Sequence, residues 1–460
     1  MTSPPVDRRF VLASGSAVLL AGGSFAGPAR ALAADATGRL LDARLAEQGV
    51  GLLAVQTDGT AVDVVARGRA RGSEPLESNA RFEVGSLTKT FTGLLLADAV
   101  VRRELSLDAP VEAAWSDSLS LRDSAGQPIR WIDLATHRSG LPRLADTMAP
   151  ADPADPYSDF GDAALIAFLR GWRPTRQRDE HWAYSNLGYG LLGWALARRA
   201  RTGYAALLGE RVLGPLGLND TAVATPRLAI PRLVDGHDAA GRPVSHWTFA
   251  DAAAGAGALV TSGADLARYL QAAVGARTTP LAEAFALAMR ERAPGPGAGN
   301  PMALGWIRAP LAGRTVLNHD GGTFGFSSST WLDPARGRAI AVLANAQVEV
   351  QDLAIHLLEP SLPPKDFAPT RQAEVALGLG QLAQLAGRYA VSPSFAIEVT
   401  VRAGQLWAQA TGQGAFQLFA AGPRHFFAKI TPLDVEFEAG DPPPSIVLTQ
   451  GGRTTRFERE

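Results

Sequence analysis

Hydrophobic and polar positions repeat with two different periods along this chain. From Gly38 to Glu47 the spacing predicts a helix. Val50 to Gln56 and Ala61 to Arg67 are β-rich runs, and the Thr57-Asp58-Gly59-Thr60 segment between them is a hairpin signal. A second hairpin is predicted far downstream, where Asp333-Pro334-Ala335-Arg336-Gly337 joins Ser327–Leu332 to Arg338–Leu343. Between the hairpins the pattern is mostly helical, with long runs at Thr90–Val101 and Leu187–Ala200 and Gly/Pro-rich breaks around 150–157 and 294–300. Strands at both ends with helices between them predict an α+β domain, with an antiparallel sheet assembled from its two termini.

The ends of the chain differ from this middle. Arg8 and Arg9 precede an apolar stretch from Phe10 to about Ala26, and Ala31-Leu32-Ala33 fits an A-x-A cleavage pattern. Residues 1–33 therefore predict an export leader of Sec or twin-arginine type, which places the mature protein in an exported, periplasmic setting. A membrane anchor fits less well, because Ser14, Ser16, Gly22 and Gly23 interrupt a short apolar run. Residues 34–359 form the predicted main domain and the Pro-rich 360–372 a linker. In 373–460 a short helical run precedes alternating strands such as Ile397-Val399-Val401 and Val435-Phe437, predicting a small antiparallel β-barrel or sandwich.

Composition narrows the chemistry. A formal net charge of −1 over 460 residues gives no general attraction to nucleic acid or anionic lipid. The absence of cysteine excludes disulfides and thiol chemistry. The histidines are scattered without metal-site spacing, and Gly255-Ala256-Gly257 lacks the rest of a dinucleotide loop, so neither a metal nor a cofactor is expected. Of 44 basic residues only Lys89, Lys365 and Lys429 are lysines.

One of those lysines lies in Ser86-Leu87-Thr88-Lys89, at the head of the Thr90–Val101 helix. At that spacing the amine reaches the hydroxyl from one turn away. A serine becomes a nucleophile once a base takes its proton, and a buried lysine can be that base where an arginine cannot. The same residues also fit an N-cap and a solvated first-turn lysine. Two further elements add weight: Tyr184-Ser185-Asn186 before the Leu187–Ala200 helix, and His319-Asp320-Gly321-Gly322 entering the downstream hairpin. A tyrosine can relay a proton, an asparagine amide both donates and accepts, and a glycine lets a strand edge approach a ligand.

Ser-x-x-Lys, Tyr-x-Asn and His-x-Gly in this order resemble the serine β-lactamase and penicillin-binding protein superfamily, class C branch. The flanking Leu105-Ser106-Leu107-Asp108-Ala109-Pro110-Val111, Ser139-Gly140-Leu141-Pro142 and Gly325-Phe326-Ser327-Ser328 agree. The resemblance implies an antiparallel sheet flanked by helices with a helical subdomain. Ser86 would be the acylated nucleophile, Lys89 its activating amine, and Tyr184 the proton-transfer partner. Asn186 would bind a substrate amide, His319 to Gly321 would form the substrate-binding strand, and the N–H groups of Ser86 and Gly322 the oxyanion hole. The expected partner is a small molecule or a peptidoglycan-derived peptide.

His319 departs from the Lys-Thr-Gly version of typical class C β-lactamases. Read from its ordinary titration range, it predicts turnover that depends on imidazole ionisation. His-x-Gly versions resemble D-peptidases, D-aminopeptidases and esterases. Three activities follow: hydrolysis of β-lactams or D-Ala-D-Ala peptides, ester hydrolysis at the same serine, or acylation by penicillin without turnover.

Overall fold

The computed structural model describes residues 28–47, 49–115, 119–226, 228–365, 374–392, 395–411, 415–428, 433–450 and 453–460. The predicted leader up to residue 27, most of the Pro-rich linker, and Lys429 lie outside these residues. Pro28–Glu47 is one helix, longer at its start than the expected Gly38–Glu47.

Among the described residues, eight strands come first, interleaved with a long helical insertion. They are β1 (Gly51–Asp58), β2 (Ala61–Arg71), β3 (Glu74–Pro75), β4 (Arg81–Glu83), β5 (Ala222–Val223), β6 (Gly236–His237), β7 (Pro243–Val244) and β8 (Leu259–Ser262). Next come β9 (Ile307–Leu311), β10 (Arg314–Gly322), β11 (Ser327–Asp333) and β12 (Arg338–Ala344). The main sheet runs β3-β2-β1-β12-β11-β10-β9, every adjacent pair antiparallel. Its two halves meet where β1 pairs with β12, Leu53 opposite Leu343 and Ala54 opposite Val342. The sheet is thus assembled from the two predicted hairpins.

Strands β1 and β12 are apolar on both faces because helices cover both. Leu53, Val55, Ala341 and Leu343 face one core, which includes the helices Thr88–Val101 and Gly263–Ala273. Leu52, Ala54, Ile340 and Val342 face a second core with Leu41 from the N-terminal helix and Leu353 and Leu357 from the helix Gln351–Leu358. A buried ion pair ties those two helices together: the Arg44 guanidinium donates to Asp352 Oδ1 at 3.1 Å and Oδ2 at 2.5 Å.

The helix Thr88–Val101 carries the lysine, and all but its last turn is buried. It packs against the backbone of the Leu304–Gly305 turn through Gly93, where an added Cβ would meet the Leu304 carbonyl oxygen at 2.2 Å. The small sheet β4-β8-β5 lies at the head of this helix. Val84 N donates to Leu259 O at 3.0 Å, and Leu259 N donates to Thr88 Oγ1 at 3.0 Å.

After the helix Leu379–Leu385, strands β13 (Gly387–Ser392), β14 (Phe395–Arg402), β15 (Gln405–Ala410), β16 (Phe416–Ala420), β17 (His425–Ala428), β18 (Leu433–Phe437), β19 (Ser445–Gln450) and β20 (Arg453–Arg459) close into an antiparallel barrel. Closure leaves no free sheet edge. Inward-facing residues such as Val399, Leu406, Phe426 and Val435 fill it, and Leu382 and Leu385 of the preceding helix join that core. Trp407 lies outside the barrel core yet is only 3% exposed; Arg242, from the loop between β6 and β7, stacks on it with its guanidinium carbon 4.4 Å from the ring centre, and Arg402 lies over it at 5.7 Å.

The Gly93 contact yields a test of sign. Alanine is the better helix former by about 1 kcal/mol, so propensity alone predicts that Gly93→Ala stabilises. The backbone contact predicts the reverse, a net loss of about 1–3 kcal/mol from overpacking, read by denaturant unfolding.

Candidate active site

Ser86 sits in a 3₁₀ turn, Gly85–Leu87, that runs into the helix Thr88–Val101 rather than at a capping position. In that tighter winding residues i and i+3 eclipse, so Lys89 stands over Ser86, its Nζ 2.9 Å from Oγ. Two glycines press this turn against β10. Gly85 has φ +48°, and a Cβ there would lie 2.6 Å from Gly322 N. A Cβ on Gly321 would lie 2.1 Å from Val84 O and 3.0 Å from Ser86 N. Any side chain at either position would push the strand off the serine.

Lys89 is fully buried. Its Nζ also contacts Asn186 Oδ1 at 2.9 Å and Ala256 O at 2.6 Å. Burial, with the nearby Arg143 guanidinium adding to it, holds the amine well below the usual lysine range. Tyr184 approaches Ser86 from the other side, donating its hydroxyl to Oγ at 2.7 Å. Burial pushes that phenol up to about 12, against smaller opposing effects from Ser86 and Arg143. Serine therefore lies between a lysine that sheds its proton readily and a tyrosine that keeps it.

Ser185 holds Tyr184 and Asn186 in place. It N-caps the helix Asn186–Arg199, accepting from Gly188 N at 2.8 Å, and donates to Pro142 O at 2.6 Å. Its own N–H donates to His137 Nδ1 at 3.1 Å, and the His137 ring lies 4.4 Å from that of Tyr184. Asn186 Nδ2 donates to Tyr157 OH at 3.2 Å. Tyr157 stacks on Phe249 and adjoins Trp247, which meets Phe324 at 4.7 Å, so an aromatic cluster lies beside Asn186.

The structure thus gathers Ser86, Lys89, Tyr184 and Asn186 within hydrogen-bonding reach, with Gly321 and Gly322 against the serine turn. His137, Arg143, Tyr157 and the Ala256 carbonyl belong to the same cluster and were not anticipated. Arg143 directly follows the Ser139-Gly140-Leu141-Pro142 segment, the one signal that pointed to it.

His319 behaves differently from its sequence-based expectation. It is 3% exposed, on the strand face that packs inward, and its Nδ1 is 2.6 Å from Gly305 O. A carbonyl only accepts, so Nδ1 carries the proton. Burial, reinforced by the Lys89 charge, pulls its pKa down to about 3. Burial thus works against the ionisation near neutrality expected from the sequence, and outweighs the carbonyl that favours the charged form. Asp320 points to the opposite face, accepting from Ser329 Oγ at 2.6 Å and Gln351 Nε2 at 2.5 Å.

Among the described residues no group of three or more His, Asp or Glu side chains is placed to hold a metal ion. Nor is any helix among them long and apolar enough to cross a membrane.

An antiparallel sheet flanked by helices, with a Ser–Lys–Tyr cluster around a buried lysine beside β10, defines a class of serine hydrolase folds. The chain belongs to the Beta-lactamase family, whose model matches residues 38–358. It is 24% identical over 410 residues to penicillin-binding protein 4* of Bacillus subtilis, covering 82% of this chain and 87% of that protein. A class C β-lactamase from Rhodobacter sphaeroides superposes with a TM-score of 0.61 at 26% identity, covering 72% of this chain and 99% of the other. The octameric penicillin-binding protein homologue of Pyrococcus abyssi extends the likeness of fold to 92% of this chain and 99% of its own, with a TM-score of 0.62 at 22% identity. The family is one of serine hydrolases of the β-lactamase and penicillin-binding protein type.

With burial pulling its pKa down to about 3, His319 is expected to stay neutral across pH 5–8. Nitrogen-correlated NMR of the imidazole is expected to show one unchanging Nδ1–H tautomer over that range. A midpoint between pH 6 and 7 would show that the ring is solvated and charged as the sequence alone suggested.

Proposed function

We propose that this protein is an exported serine acyl hydrolase that forms an acyl-enzyme on Ser86 and acts on β-lactams or on peptides of D-Ala-D-Ala type. The observation that carries the reading is the coordination of the Lys89 amine. Ala256 O and Asn186 Oδ1 only accept hydrogen bonds. A neutral amine donates its two hydrogens to them and has its lone pair left for the Ser86 hydroxyl, 2.9 Å away. That is the geometry of a general base.

In this reading Lys89 accepts the Ser86 proton as Oγ attacks the substrate carbonyl carbon and the carbonyl π pair moves onto oxygen. The N–H groups of Ser86 and Gly322 receive that oxyanion. Collapse of the tetrahedral species breaks the bond to the leaving group, nitrogen or oxygen. Tyr184 gives its proton to that atom and regains one from the Lys89 ammonium. Water then attacks the acyl-enzyme with the roles reversed, and Ser86 recovers its hydrogen. In this reading Asn186, hydrogen-bonded to Tyr157, binds the acyl amide. Arg8-Arg9 and the apolar run after them support export, and the residues on either side of 360–372 support a catalytic unit followed by a barrel module.

Ester hydrolysis at the same serine is the second reading. Its support is the buried, neutral His319, since β10 then offers no charge to a substrate carboxylate and esters need none.

Incubation with labelled penicillin, a D-Ala-D-Ala peptide and a short-chain p-nitrophenyl ester separates the readings. Ser86→Ala is expected to abolish both labelling and turnover; activity surviving it would refute the nucleophile. Ester turnover alone would favour the second reading. Lys89→Arg keeps a charge that cannot be shed and is expected to lose about 10³-fold or more in kcat/KM, whereas Lys365→Arg, on a surface pair with Glu349, changes little. Because the neutral amine is the active form, kcat/KM rises with pH through the Lys89 pKa. That acid limb lies well below the ordinary lysine value of 10.5, and a rate that falls as pH rises through this range would eliminate Lys89 as the base.

A further inference from the structure

Several buried or partly buried arginines among the described residues sit against a carboxylate, as Arg44, Arg81 and Arg138 do, and Arg143 does not. Its position is fixed by its backbone, since its carbonyl accepts from Asn186 N at 3.0 Å and Leu187 N at 3.2 Å at the start of the Asn186–Arg199 helix. Its guanidinium carbon lies 5.1 Å from the centre of the Tyr184 ring, whose hydroxyl touches the nucleophile. The side chain is half-buried, and its Nε is buried without a hydrogen-bond partner. Among the described residues no carboxylate pairs with it. It opposes positive charge on Lys89 and His137, and the Tyr184 ring offers it a cation–π face but no anion.

An unpaired guanidinium this close to a reacting serine is costly to the folded protein, because half of its hydration is lost and no anion replaces it. A planar donor fork is the side chain best matched to a carboxylate. On the opposite side of the cleft the strand supplies no alternative, as the His319 imidazole is turned inward onto Gly305 O.

We propose that Arg143 is the anion anchor of the substrate cleft, taking a carboxylate of the substrate from the wall formed by Tyr184, Asn186 and Tyr157. The assignment rests on the serine-hydrolase reading above and adds the chemistry it selects: carboxylate-bearing acyl donors over neutral ones of the same shape. On that wall the carboxylate lies on the acyl side, because the Arg143 carbonyl is hydrogen-bonded to the backbone N–H of Asn186, the residue that in this reading binds the acyl amide. The anchor acts on binding and orientation and takes no proton.

Two matched substrate pairs test it. In the first, a phenylacetyl penicillin is compared with its α-carboxy analogue, which differs only by a carboxylate on the acyl side. In the second, phenyl and 3-carboxyphenyl esters of one N-acylglycine differ only on the leaving side. Each enzyme is assayed at its own pH optimum, so that any change in Lys89 titration is removed. Wild type is expected to favour the charged member of the first pair, and added salt to weaken that preference. Arg143→Gln is expected to cut the charged-to-neutral ratio of kcat/KM about tenfold or more, as for the loss of one charge-assisted contact, and Arg143→Lys by less. A shift confined to the second pair would move the anchor to the leaving side and overturn the acyl-side placement. Ratios within about threefold of wild type in both pairs, with Ser86 still labelled by penicillin, would refute the anchor while leaving the serine-hydrolase reading intact. If Arg143→Gln fails to fold, wild type decides: no preference, or one indifferent to salt, would equally refute it.

Discussion

The cleft is organised around one desolvated amine. Lys89 has no access to water, and a charged ammonium so placed is expensive unless every proton finds an acceptor. The fold offers two fixed acceptors, Asn186 Oδ1 and Ala256 O, together with the Ser86 hydroxyl. A neutral amine satisfies this set completely, and its lone pair then has one direction left. Burial, which would be a liability for a structural lysine, sets both the protonation state and the aim. Much of the surrounding architecture serves to keep that amine dry: the buried helix that carries it, the Gly93 contact with the Leu304–Gly305 turn, and the aromatic rings of Tyr184 and Tyr189 about 5–6 Å away.

The same burial explains why His319 and Tyr184 hold their protons as they do. Both face the low-dielectric space that surrounds Lys89, so each is driven toward its neutral form. A cluster of one amine, the two imidazoles of His137 and His319, and the three phenols of Tyr157, Tyr184 and Tyr189 can then share a small volume without mutual repulsion. The permanent charge is kept one layer further out, on Arg143, where it depresses Lys89 without touching it.

What could be read from the chain follows from what carries a side-chain signature. The two hairpins were visible because β1 and β12 are apolar runs bounded by Asp-Gly and Pro-rich turns, and their pairing gave the sheet its order. Ser86, Lys89, Tyr184 and Asn186 were visible because nucleophile chemistry restricts residue type and spacing. The carbonyls of Ala256 and Gly305 were not, since every residue has one and only tertiary packing selects which is used. Gly255-Ala256-Gly257 drew notice as a glycine pattern, yet its contribution is one backbone oxygen on Lys89. His319 was legible as a member of the site but not in its charge state, which depends on a neighbour in the Leu304–Gly305 turn. Tyr157 sits in a loop where neither period nor motif marks it, and Arg143 is marked only by following Ser139-Gly140-Leu141-Pro142.

The near-absence of lysine sharpens this division. A guanidinium holds its proton at any pH the protein meets, so it suits surface pairing and anion capture, but it cannot give up a proton to become a base. Lys365 makes an exposed pair with Glu349, a place where a permanent cation would serve equally. Lys89 is different in kind, because its environment is hostile to charge and its partners are arranged for an amine with two hydrogens. Substituting arginine there would force a planar, permanently charged group into a dry pocket sized for one nitrogen, with the Ser86 proton left where it was. The chain writes its fixed charges as arginine and places an amine where proton exchange is required. Arg143 and Lys89, neighbours across the same tyrosine, show the two uses side by side.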